Sequence, residues 1–327
     1  MRRLFSVCVL LLGLGAAAAP ANDVKAPLAP VPAEAKPAAP AGWKLVWSDE
    51  FDGHAIDKSK WDFDRGNYLK TGPDQWQPGW GNNELEFYTS RPENAFVQDG
   101  ALHLRAVKER YKDCQYTSGR VKTKNLFDKK YGRFEFRAKL PTGRGIWPAI
   151  WMLPKDETKY GAWAASGEID IMEARGQEPD KVLGTIHYGS HWPANAHSGA
   201  EYVFADKSTI ADFHIYALEW EPGELRWYVD EHLYQRQNFW WSSPETDGPK
   251  GVEPANEAEL NPWPAPFDQL FYIVLNVAVG GQFLGNPDKT TTLPAEMVVD
   301  YVRVYDKVGG YGPPKPRGAG KLPFGKP

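Results

Sequence analysis

GEIDIME, residues 167–173, places three carboxylates among three large apolar side chains. On an α-helix Glu168 and Glu173 would point in different directions, whereas the two-residue period of a strand puts Glu168 and Asp170 on one face. The pattern therefore predicts a β-strand. Because an apolar environment makes a buried carboxylate costly, acids in such a strand also indicate a catalytic site.

Glu173 joins the face of the other two acids only if the strand is irregular. Glu168 and Glu173 are five residues apart, and a strict two-residue period would send Glu173 to the opposite face. We therefore predict a β-bulge, one extra residue, near Ile171 and Met172. On a flat strand the Cα atoms of the two Glu residues would be about 13 Å apart. Long side chains on a concave sheet would narrow that gap toward the roughly 5 to 5.5 Å between the carboxyl groups of a retaining glycosidase.

Two other interpretations of the acidic run remain open at this point. The polar face of an exposed strand is sometimes acidic by chance, and a carboxylate-rich edge is also a place where calcium binds. The surrounding chain has to decide among the three.

Composition narrows the class of protein. The chain has 327 residues, 42% of them hydrophobic, and a formal net charge of −4, which suits one large core or two small ones. Basic residues are scattered and are not interleaved with aromatic ones, so we expect no nucleic-acid partner. Fourteen Trp and fifteen Tyr are many for this length. They are typical of core and cross-strand packing in a β protein, and some would form exposed platforms if the ligand is a sugar.

The first 21 residues have the zones of a secretory signal peptide, with a basic start, an apolar run over residues 4–15 and small residues after it. The apolar run is too short for a membrane anchor. We therefore expect cleavage before Asn22 and export to the periplasm or the medium. Loss of Cys8 with the signal would leave Cys114 as the single cysteine, so no internal disulfide is expected.

The rest of the chain predicts one β domain with two irregular flanks. Residues 22–42 are rich in Pro and Ala and predict an extended linker. Residues 43–306 contain short β-rich runs separated by turn residues, and the run FYIVLNVAV, residues 271–279, is almost entirely apolar, like an inner strand buried on both faces. This pattern predicts an all-β fold, a two-sheet antiparallel β-sandwich of jelly-roll type. Residues 307–327 return to Gly, Pro and Lys and predict a disordered tail.

Ten segments between about Trp43 and Asp306 resemble, in order, glycoside hydrolase family 16, and within it the bacterial endo-1,3-β-glucanases or laminarinases. The resemblance implies a concanavalin A-like jelly roll with a concave substrate cleft and a retaining double displacement. It associates the bulged Glu-x-Asp-x-x-Glu form with 1,3-glucan and a form one residue shorter with mixed-linkage glucan. Besides the acidic run, the segments are WSDEFD (47–52), GNNELEFYT (81–89), TSGR (117–120), YGRFE (131–135), GIWPAIWMLP (145–154), TIHY (185–188), FHIYALEW (213–220), WPAPFD (263–268) and DYVRVY (300–305).

The resemblance implies a role for each acid. Glu168 resembles the nucleophile, Asp170 its supporting carboxylate and Glu173 the general acid/base. The physical chemistry agrees with that division. Glu168 must be ionised to attack the anomeric carbon, whereas Glu173 must hold a proton at the working pH, and neighbouring negative charge raises its pKa.

The same resemblance implies substrate-binding side chains around the acids. Each has a plainer alternative: core packing for the Trp residues of 145–154, turn chemistry for the Asn, a surface ion pair for the Arg and a structural role for the His. Trp240 and Trp241 also qualify, but neighbours on a strand point oppositely, so one of them would face the substrate. The full set is Asn82, Arg120, Trp147, Trp151, Trp163, His187, Trp240 and Gln282.

No cofactor is expected for catalysis, although many members of the family carry a structural Ca²⁺. Glu50, Asp300 and the carbonyl of Gly100 match its ligands and supply the hard oxygens that calcium prefers; Glu50 would otherwise pair with an arginine. The predicted partner is a polysaccharide, and we expect a monomer.

The leading hypothesis is therefore an exported, retaining endo-hydrolase of 1,3-β-glucan. The alternatives are a mixed-linkage 1,3-1,4-β-glucanase, a galactan hydrolase or a transglycosylase on the same fold, and, from another class, a non-catalytic β-glucan-binding module.

Overall fold

The structure is a computed structural model that describes residues 38–72, 74–205, 207–244 and 254–324. The predicted signal peptide and most of the predicted linker, residues 1–37, lie outside the described residues. No helix within the described ranges is long and apolar enough to cross a membrane.

The described residues form nineteen strands and two short 3₁₀ helices, so the prediction of an all-β fold is confirmed. The 3₁₀ helices are Gly79–Gly81 and Glu257–Glu259. The strands are β1 Trp43–Asp49, β2 Asp62–Phe63, β3 Tyr68–Gly72, β4 Gln75–Pro78, β5 Glu86–Tyr88, β6 Ala95–Gln98, β7 Ala101–Tyr111, β8 Cys114–Ser118, β9 Arg120–Lys122, β10 Gly132–Lys139, β11 Ile146–Pro154, β12 Glu168–Glu173, β13 Lys181–Gly189, β14 Asn195–Val203, β15 His214–Glu221, β16 Glu224–Val229, β17 His232–Gln237, β18 Phe271–Val279 and β19 Ala295–Lys307.

The strands form two large sheets and a separate hairpin. The first sheet has ten strands in the order β17-β16-β15-β10-β19-β7-β8-β5, with β1 paired to β19 and β6 to β7. The second has seven strands in the order β14-β13-β12-β11-β18-β9-β2, and β3 pairs with β4 alone. Pairing is antiparallel throughout these described strands except between β5 and β8, which run parallel. The predicted two-sheet jelly roll is confirmed.

β18 shows how the sequence produces the core. All nine of its residues are buried, as its nearly continuous apolar run predicts, and it lies inside the seven-stranded sheet between β11 and β9. Alternate side chains such as Ile273 and Leu275 belong to the apolar core. Burying each such side chain contributes about 1.5 to 3 kcal/mol. Asn276, the one polar residue of β18, lies on the other face, where the acidic run of β12 also presents its carboxylates.

The C-terminal segment is hydrogen-bonded to distant parts of the chain, contrary to the prediction. Trp263 Nε1 donates to the carbonyl of Lys315 at 2.7 Å, the amide of Lys315 donates to the carbonyl of Pro222, and the amide of Gly318 donates to the carbonyl of Asn238. The prediction of a disordered tail is wrong for residues 307–324. A composition rich in Gly and Pro contains no information about main-chain hydrogen bonds offered by neighbouring loops.

Candidate active site

The acidic strand β12 lies inside the seven-stranded sheet, between β11 and β13. Asp170 pairs with Thr185 and Glu173 with Leu183, so three steps along β12 match two steps along β13. The predicted β-bulge at residues 171–172 is therefore confirmed. The interpretation of the run as an exposed acidic strand is wrong, because none of its six residues is exposed and Asp170 is buried.

The core holds the bulge in place from below. Ile171 and Met172 are both buried, and the indole Nε1 of Trp227 donates to the carbonyl of Asp170 at 2.9 Å. Trp227 reaches that carbonyl across Gly184, where a Cβ would lie 2.5 Å from the indole. The main-chain carbonyl at the irregular position is thus hydrogen-bonded despite its burial, as buried backbone groups must be.

An indole N–H orients each of the two outer acids. Trp163 Nε1 donates to Glu168 Oε2 at 2.9 Å, and Trp147 Nε1 donates to Glu173 Oε1 at 3.1 Å. Asp170 lies between the acids and is buried. The structure therefore brings together the three acids and two of the predicted Trp residues on one face of the sheet.

His187 is the basic group of this cluster. It lies directly opposite Glu168 in the strand pairing, and its Nε2 is 3.4 Å from Asp170 Oδ2 and 3.8 Å from Glu168 Oε1. Neither Asp170 Oδ2 nor His187 Nδ1 has a well-aligned hydrogen-bond partner among the described residues. The interaction between His187 and the acids is therefore chiefly electrostatic.

Burial and neighbouring charges shift the pKa values of Glu168, Glu173 and His187. Desolvation, followed by the negative charge of Asp170, raises the pKa of Glu168 to about 8 and that of Glu173 to about 8. Burial by itself lowers the pKa of His187, but the contact with Asp170 and the negative charges of the neighbouring carboxylates outweigh it and raise that pKa to about 9. Near pH 7 the imidazole is charged, and the acids compete for protons.

The competition favours a protonated Glu173. Both outer acids have one indole donor and feel the charge of His187, which lowers their pKa values. Arg120 further lowers the pKa of Glu168, whereas the charge of Glu168 raises the pKa of Glu173. Arg120 thus favours the charged form of Glu168, which is the direction that a nucleophile at Glu168 and a proton donor at Glu173 require.

Replacing His187 with Gln should shift the pH profile of this site. Gln keeps a nitrogen donor toward Asp170 but removes the positive charge, so the pKa values of Glu168 and Glu173 should rise. We expect both limbs of the kcat/KM profile to move to higher pH, and activity at pH 7 to fall about tenfold because Glu168 is then more often protonated. Profiles of the wild type and the variant between pH 4 and 10 test this. An unchanged profile would contradict the assigned charge of His187.

The geometry of this cluster also raises the question of whether it binds a metal ion. Ligand atoms of Glu168, Asp170 and His187 lie within 4.8 Å of one another. A metal requires a neutral imidazole, and the raised pKa of His187 leaves it protonated near neutral pH. The cluster is therefore better suited to proton chemistry than to metal binding.

Beyond the acids, one wall of the cleft is a hydrogen-bonded network. Trp151, opposite Asp170 in the pairing of β11 and β12, donates from Nε1 to Asn276 Oδ1 at 2.7 Å. Asn276 Nδ2 donates to the Tyr88 hydroxyl at 3.1 Å, and that hydroxyl lies 3.5 Å from Glu84 Oε2. Trp151 is half-buried on the cleft face, so it does not belong to the core.

Arg120 lies between two aromatic rings of this wall. Its guanidinium carbon is 4.4 Å from the ring centre of Trp80 and 4.8 Å from that of Trp151. Its Nε donates to Asp64 at 2.9 Å, and the side chain is 8% exposed. The interpretation of Arg120 as half of a surface ion pair is wrong, because Arg120 is buried and Asp64 is half-buried.

Two carboxyl groups lie beneath this wall. Glu86 is fully buried and accepts from the amide of Val279 at 2.7 Å, while its Oε1 has no aligned partner within the described chain. Desolvation and the charge of Glu84 raise the pKa of Glu86 well above its usual range. Glu84 also has a raised pKa because of burial, although Arg120 and Asn82 oppose the rise. Burial therefore favours the protonated form of Glu86, the more deeply buried of the two.

Glu86→Gln should change how stability depends on pH. Because the folded-state pKa of Glu86 is above its unfolded value, its favourable contribution is complete below about pH 4.5 and is lost as pH rises through the folded pKa. Gln cannot ionise and keeps an oxygen for Val279. We expect the variant to be more stable than the wild type at pH 9 by about 1 kcal/mol, or roughly 2 °C in Tm, and not at pH 5. Thermal melts at both pH values test this, and equal pH dependence would contradict it.

The remaining predicted side chains divide into two groups. Asn82 and Gln282 are exposed at the rim and adjacent, since the amide of Gln282 donates to the carbonyl of Asn82 at 2.8 Å. Asn82 also caps a 3₁₀ turn and donates to Glu84, so turn chemistry accounts for part of its role. The prediction that Trp240 contacts substrate is wrong: it is 0% exposed and donates to the carbonyl of Pro264. Trp241 is also buried.

Sequence reasoning missed several residues of the cleft. Trp80 directly precedes the segment 81–89 that carries the resemblance, and Asn276 is the single polar residue in an apolar strand, so both had a usable signal. Phe283, which packs against Trp147 with ring centres 4.7 Å apart, and Asp64 gave none. Their positions depend on how distant loops fold over the sheet.

The predicted calcium ligands lie on β19 and at the ends of the two strands β1 and β7 that pair with it. Asp300 belongs to β19, which pairs with both β1 and β7; Glu50 directly follows β1 and Gly100 directly precedes β7. Arg303 donates to both oxygens of Glu50, at 2.9 and 3.0 Å, and Arg137 donates to Asp300 at 3.0 Å. The oxygen donors are of the kind that a hard cation prefers, but a cation would compete with two guanidinium groups for the carboxylates.

Comparison with known proteins agrees with this architecture. The sequence profile described as Glycosyl hydrolases family 16 matches residues 82–246. The chain is 46% identical over 278 residues to Glucan endo-1,3-beta-glucosidase A1 of Niallia circulans, covering 81% of this chain and 38% of that protein. It is 45% identical over 271 residues to Beta-glucanase of Rhodothermus marinus, covering 80% of this chain and 85% of that protein.

A solved structure is similar over the same region. The catalytic domain of an endo-1,3-beta-glucanase (laminarinase) from Thermotoga petrophila RKU-1 matches with a TM-score of 0.67 and 40% identity, covering 81% of this chain and 98% of that chain. The chain therefore spans well under half of the Niallia protein and nearly all of this catalytic domain. With its sequence, its two-sheet fold and its bulged acidic strand in agreement, the chain belongs to glycosyl hydrolases family 16.

Proposed function

We propose that this protein is a retaining endo-hydrolase of 1,3-β-linked glucan. The observation that carries the proposal is the bulge of β12, which brings Glu173 to the face of Glu168 and Asp170. On that face an indole N–H donates to each of the two outer acids. The names of the relatives, a glucan endo-1,3-beta-glucosidase and a laminarinase catalytic domain, support the linkage.

The first step is formation of a covalent intermediate. Trp163 occupies Oε2 of Glu168 and leaves Oε1 to attack the anomeric carbon. As that bond forms, the bond to the leaving sugar breaks, and protonated Glu173 delivers its proton to the departing oxygen. The result is a glycosyl ester of Glu168 and an ionised Glu173.

The second step reverses these roles. Glu173 removes a proton from water, the water oxygen attacks the anomeric carbon, and the ester to Glu168 breaks. Two inversions give net retention. During both steps Asp170 and charged His187 act electrostatically on the two outer acids, between which the negative charge moves.

The test is to incubate the purified chain with laminarin and to follow its products by proton NMR. Internal cleavage with initial release of the β-anomer is expected. Initial release of the α-anomer would contradict the retaining mechanism. Parallel reactions with lichenan, agarose and carrageenan identify the preferred linkage, and faster cleavage of any of them than of laminarin would contradict the 1,3-glucan assignment. Binding of laminarin without cleavage would instead support a glucan-binding module.

We propose further that the protein is exported and that it is a monomer. The support for export is the basic, apolar and small-residue zones of residues 1–21. N-terminal sequencing of the protein recovered from outside the cytoplasm should begin at Asn22. Recovery of an uncleaved chain in the cytoplasm would contradict export. Sedimentation equilibrium at micromolar concentration tests the monomer.

We propose, finally, a structural calcium ion along β19, held by Glu50, Asp300 and the carbonyl of Gly100. Bound calcium would stabilise the fold by linkage and would not enter the reaction. A higher Tm in calcium than in chelator is expected for the wild type and should disappear in Asp300→Asn. Equal Tm values for the wild type in calcium and chelator would overturn this proposal.

A further inference from the structure

The β3–β4 hairpin carries an exposed aromatic pair that has no part in the catalytic site described above. Tyr68 is 42% exposed and Trp76 is 53% exposed. Their rings are 4.7 Å apart at 82°, an edge-to-face contact, and Lys70 Nζ lies 5.3 Å from the Trp76 ring. A contiguous exposed aromatic surface on a soluble domain commonly marks a place where something binds.

The hairpin continues the cleft rather than standing apart from it. The guanidinium of Arg120 contacts the rings of Trp151 and Trp80. Trp80 Nε1 donates to the carbonyl of Gly66 at 3.3 Å, and the ring of Tyr68 covers Gly66 so closely that a Cβ there would lie 2.9 Å from it. A series of contacts thus leads from Trp151 of β11 through Arg120 and Trp80 to Tyr68 of the hairpin.

The position of the hairpin limits what part of a ligand could reach it. Between β12 and β2 there are four strand intervals, in the order β12-β11-β18-β9-β2, which is about 19 Å at the usual strand separation. β3 follows β2 along the chain. A group bound at the hairpin is therefore several sugar units from the bond cleaved at Glu168.

The base of the hairpin is held firmly. Asn67 Nδ2 donates to the carbonyls of Glu86 at 2.6 Å and Glu84 at 3.3 Å, and the amide of Gly79 donates to the carbonyl of Asn67 at 2.9 Å. The side chain of Asn67 thus attaches the start of the hairpin to the wall of the cleft, and the bond from Gly79 joins the two ends of the hairpin to each other. A preorganised surface loses less conformational freedom on binding.

We propose that Tyr68 and Trp76 form a distal platform for the glucan chain, occupied by sugars remote from the scissile bond. The proposal rests on the proposed function and adds a preference for long chains. The flat faces of glucose carry C–H groups that pack on aromatic rings, and exposed Gln75 and Gln77 offer amides to the hydroxyl groups. The platform's continuity with the cleft favours the same polysaccharide over a separate partner.

Trp76→Ala tests the platform. The ratio of kcat/KM for long laminarin to that for a short laminari-oligosaccharide should fall roughly three- to tenfold, mostly through KM on the long chain. Trp76→Tyr, which keeps an aromatic face, should restore most of the ratio. Leu45→Ala is the matched control, since Leu45 is 44% exposed on the other sheet, and its ratio should equal that of the wild type.

The possible outcomes separate the two proposals. If the wild type cleaves no 1,3-glucan, the proposed function fails and the platform fails with it. If the wild type cleaves laminarin but Trp76→Ala behaves like Leu45→Ala on both chain lengths, the platform is overturned and the proposed function stands. A reduced ratio in Trp76→Ala that Trp76→Tyr restores supports the platform.

Discussion

Glu168→Gln is expected to lower kcat on laminarin by about 10⁴-fold or more, the scale on which loss of a covalent nucleophile acts. The amide has the same shape as the carboxylate but carries no negative charge, so the glycosyl ester cannot form. Its oxygen still accepts the hydrogen bond from Trp163, which is 2.9 Å away in the wild type. The loss should therefore appear in reducing-sugar release and not in folding.

The control for this variant is its retained ability to bind. Titration of Glu168→Gln with a laminari-oligosaccharide should give a Kd close to the KM of the wild type, and its Tm should equal or exceed that of the wild type, because a buried acid with a raised pKa has been removed. Activity within tenfold of the wild type would contradict the assignment of Glu168 as the nucleophile.

Glu173→Ala is expected to lower kcat/KM on laminarin by about 10² to 10⁴-fold, because the departing sugar oxygen then leaves without a proton. An aryl glucoside with an acidic phenol needs no such help, so its first step should be affected much less. Burial and the charge of Asp170 raise the pKa of Glu173 to about 8. Wild-type activity should fall as pH rises past that value, and this limb should be missing in the variant.

Azide tests whether the lost activity of Glu173→Ala reflects a missing acid/base in a retaining mechanism. A small anion can enter the space left by the Glu173 side chain and attack the glycosyl ester without a general base. Added azide should accelerate Glu173→Ala on the aryl substrate and give the β-glycosyl azide. An α-glycosyl azide, or loss of activity equal on laminarin and the aryl glucoside, would count against Glu173 as the acid/base.

How far the sequence predicts this molecule is clearest at β12. A count of residues between Glu168 and Glu173 predicts a bulge, and the structure has it at residues 171–172, because the two-residue period of a strand is a local rule. β18 is a second local prediction that is confirmed: its nearly continuous apolar run predicts burial on both faces, and all nine residues are buried. Neither prediction needs knowledge of any other part of the chain.

Predictions that depended on packing partners were less successful. Trp240 is a plausible sugar platform from its sequence, yet it is buried against Trp263 and Phe267, with ring centres 4.6 and 5.2 Å away. The segment from residue 307 to 324 has the composition of a disordered tail but is bonded to Pro222 and Asn238. In both cases the deciding contact comes from a loop distant in sequence.

Local periodicity was enough to predict the β architecture and the bulge, whereas the roles of the three acids came from the resemblance to glycoside hydrolase family 16. Only the folded structure sets the raised pKa values of Glu168 and Glu173, because these depend on burial and on the charges of His187 and, for Glu168, Arg120, which lie on other strands. It also decided which aromatic side chains face the cleft and which fill the core. Charge and burial are properties of the assembled neighbourhood, and a linear sequence does not contain those distances.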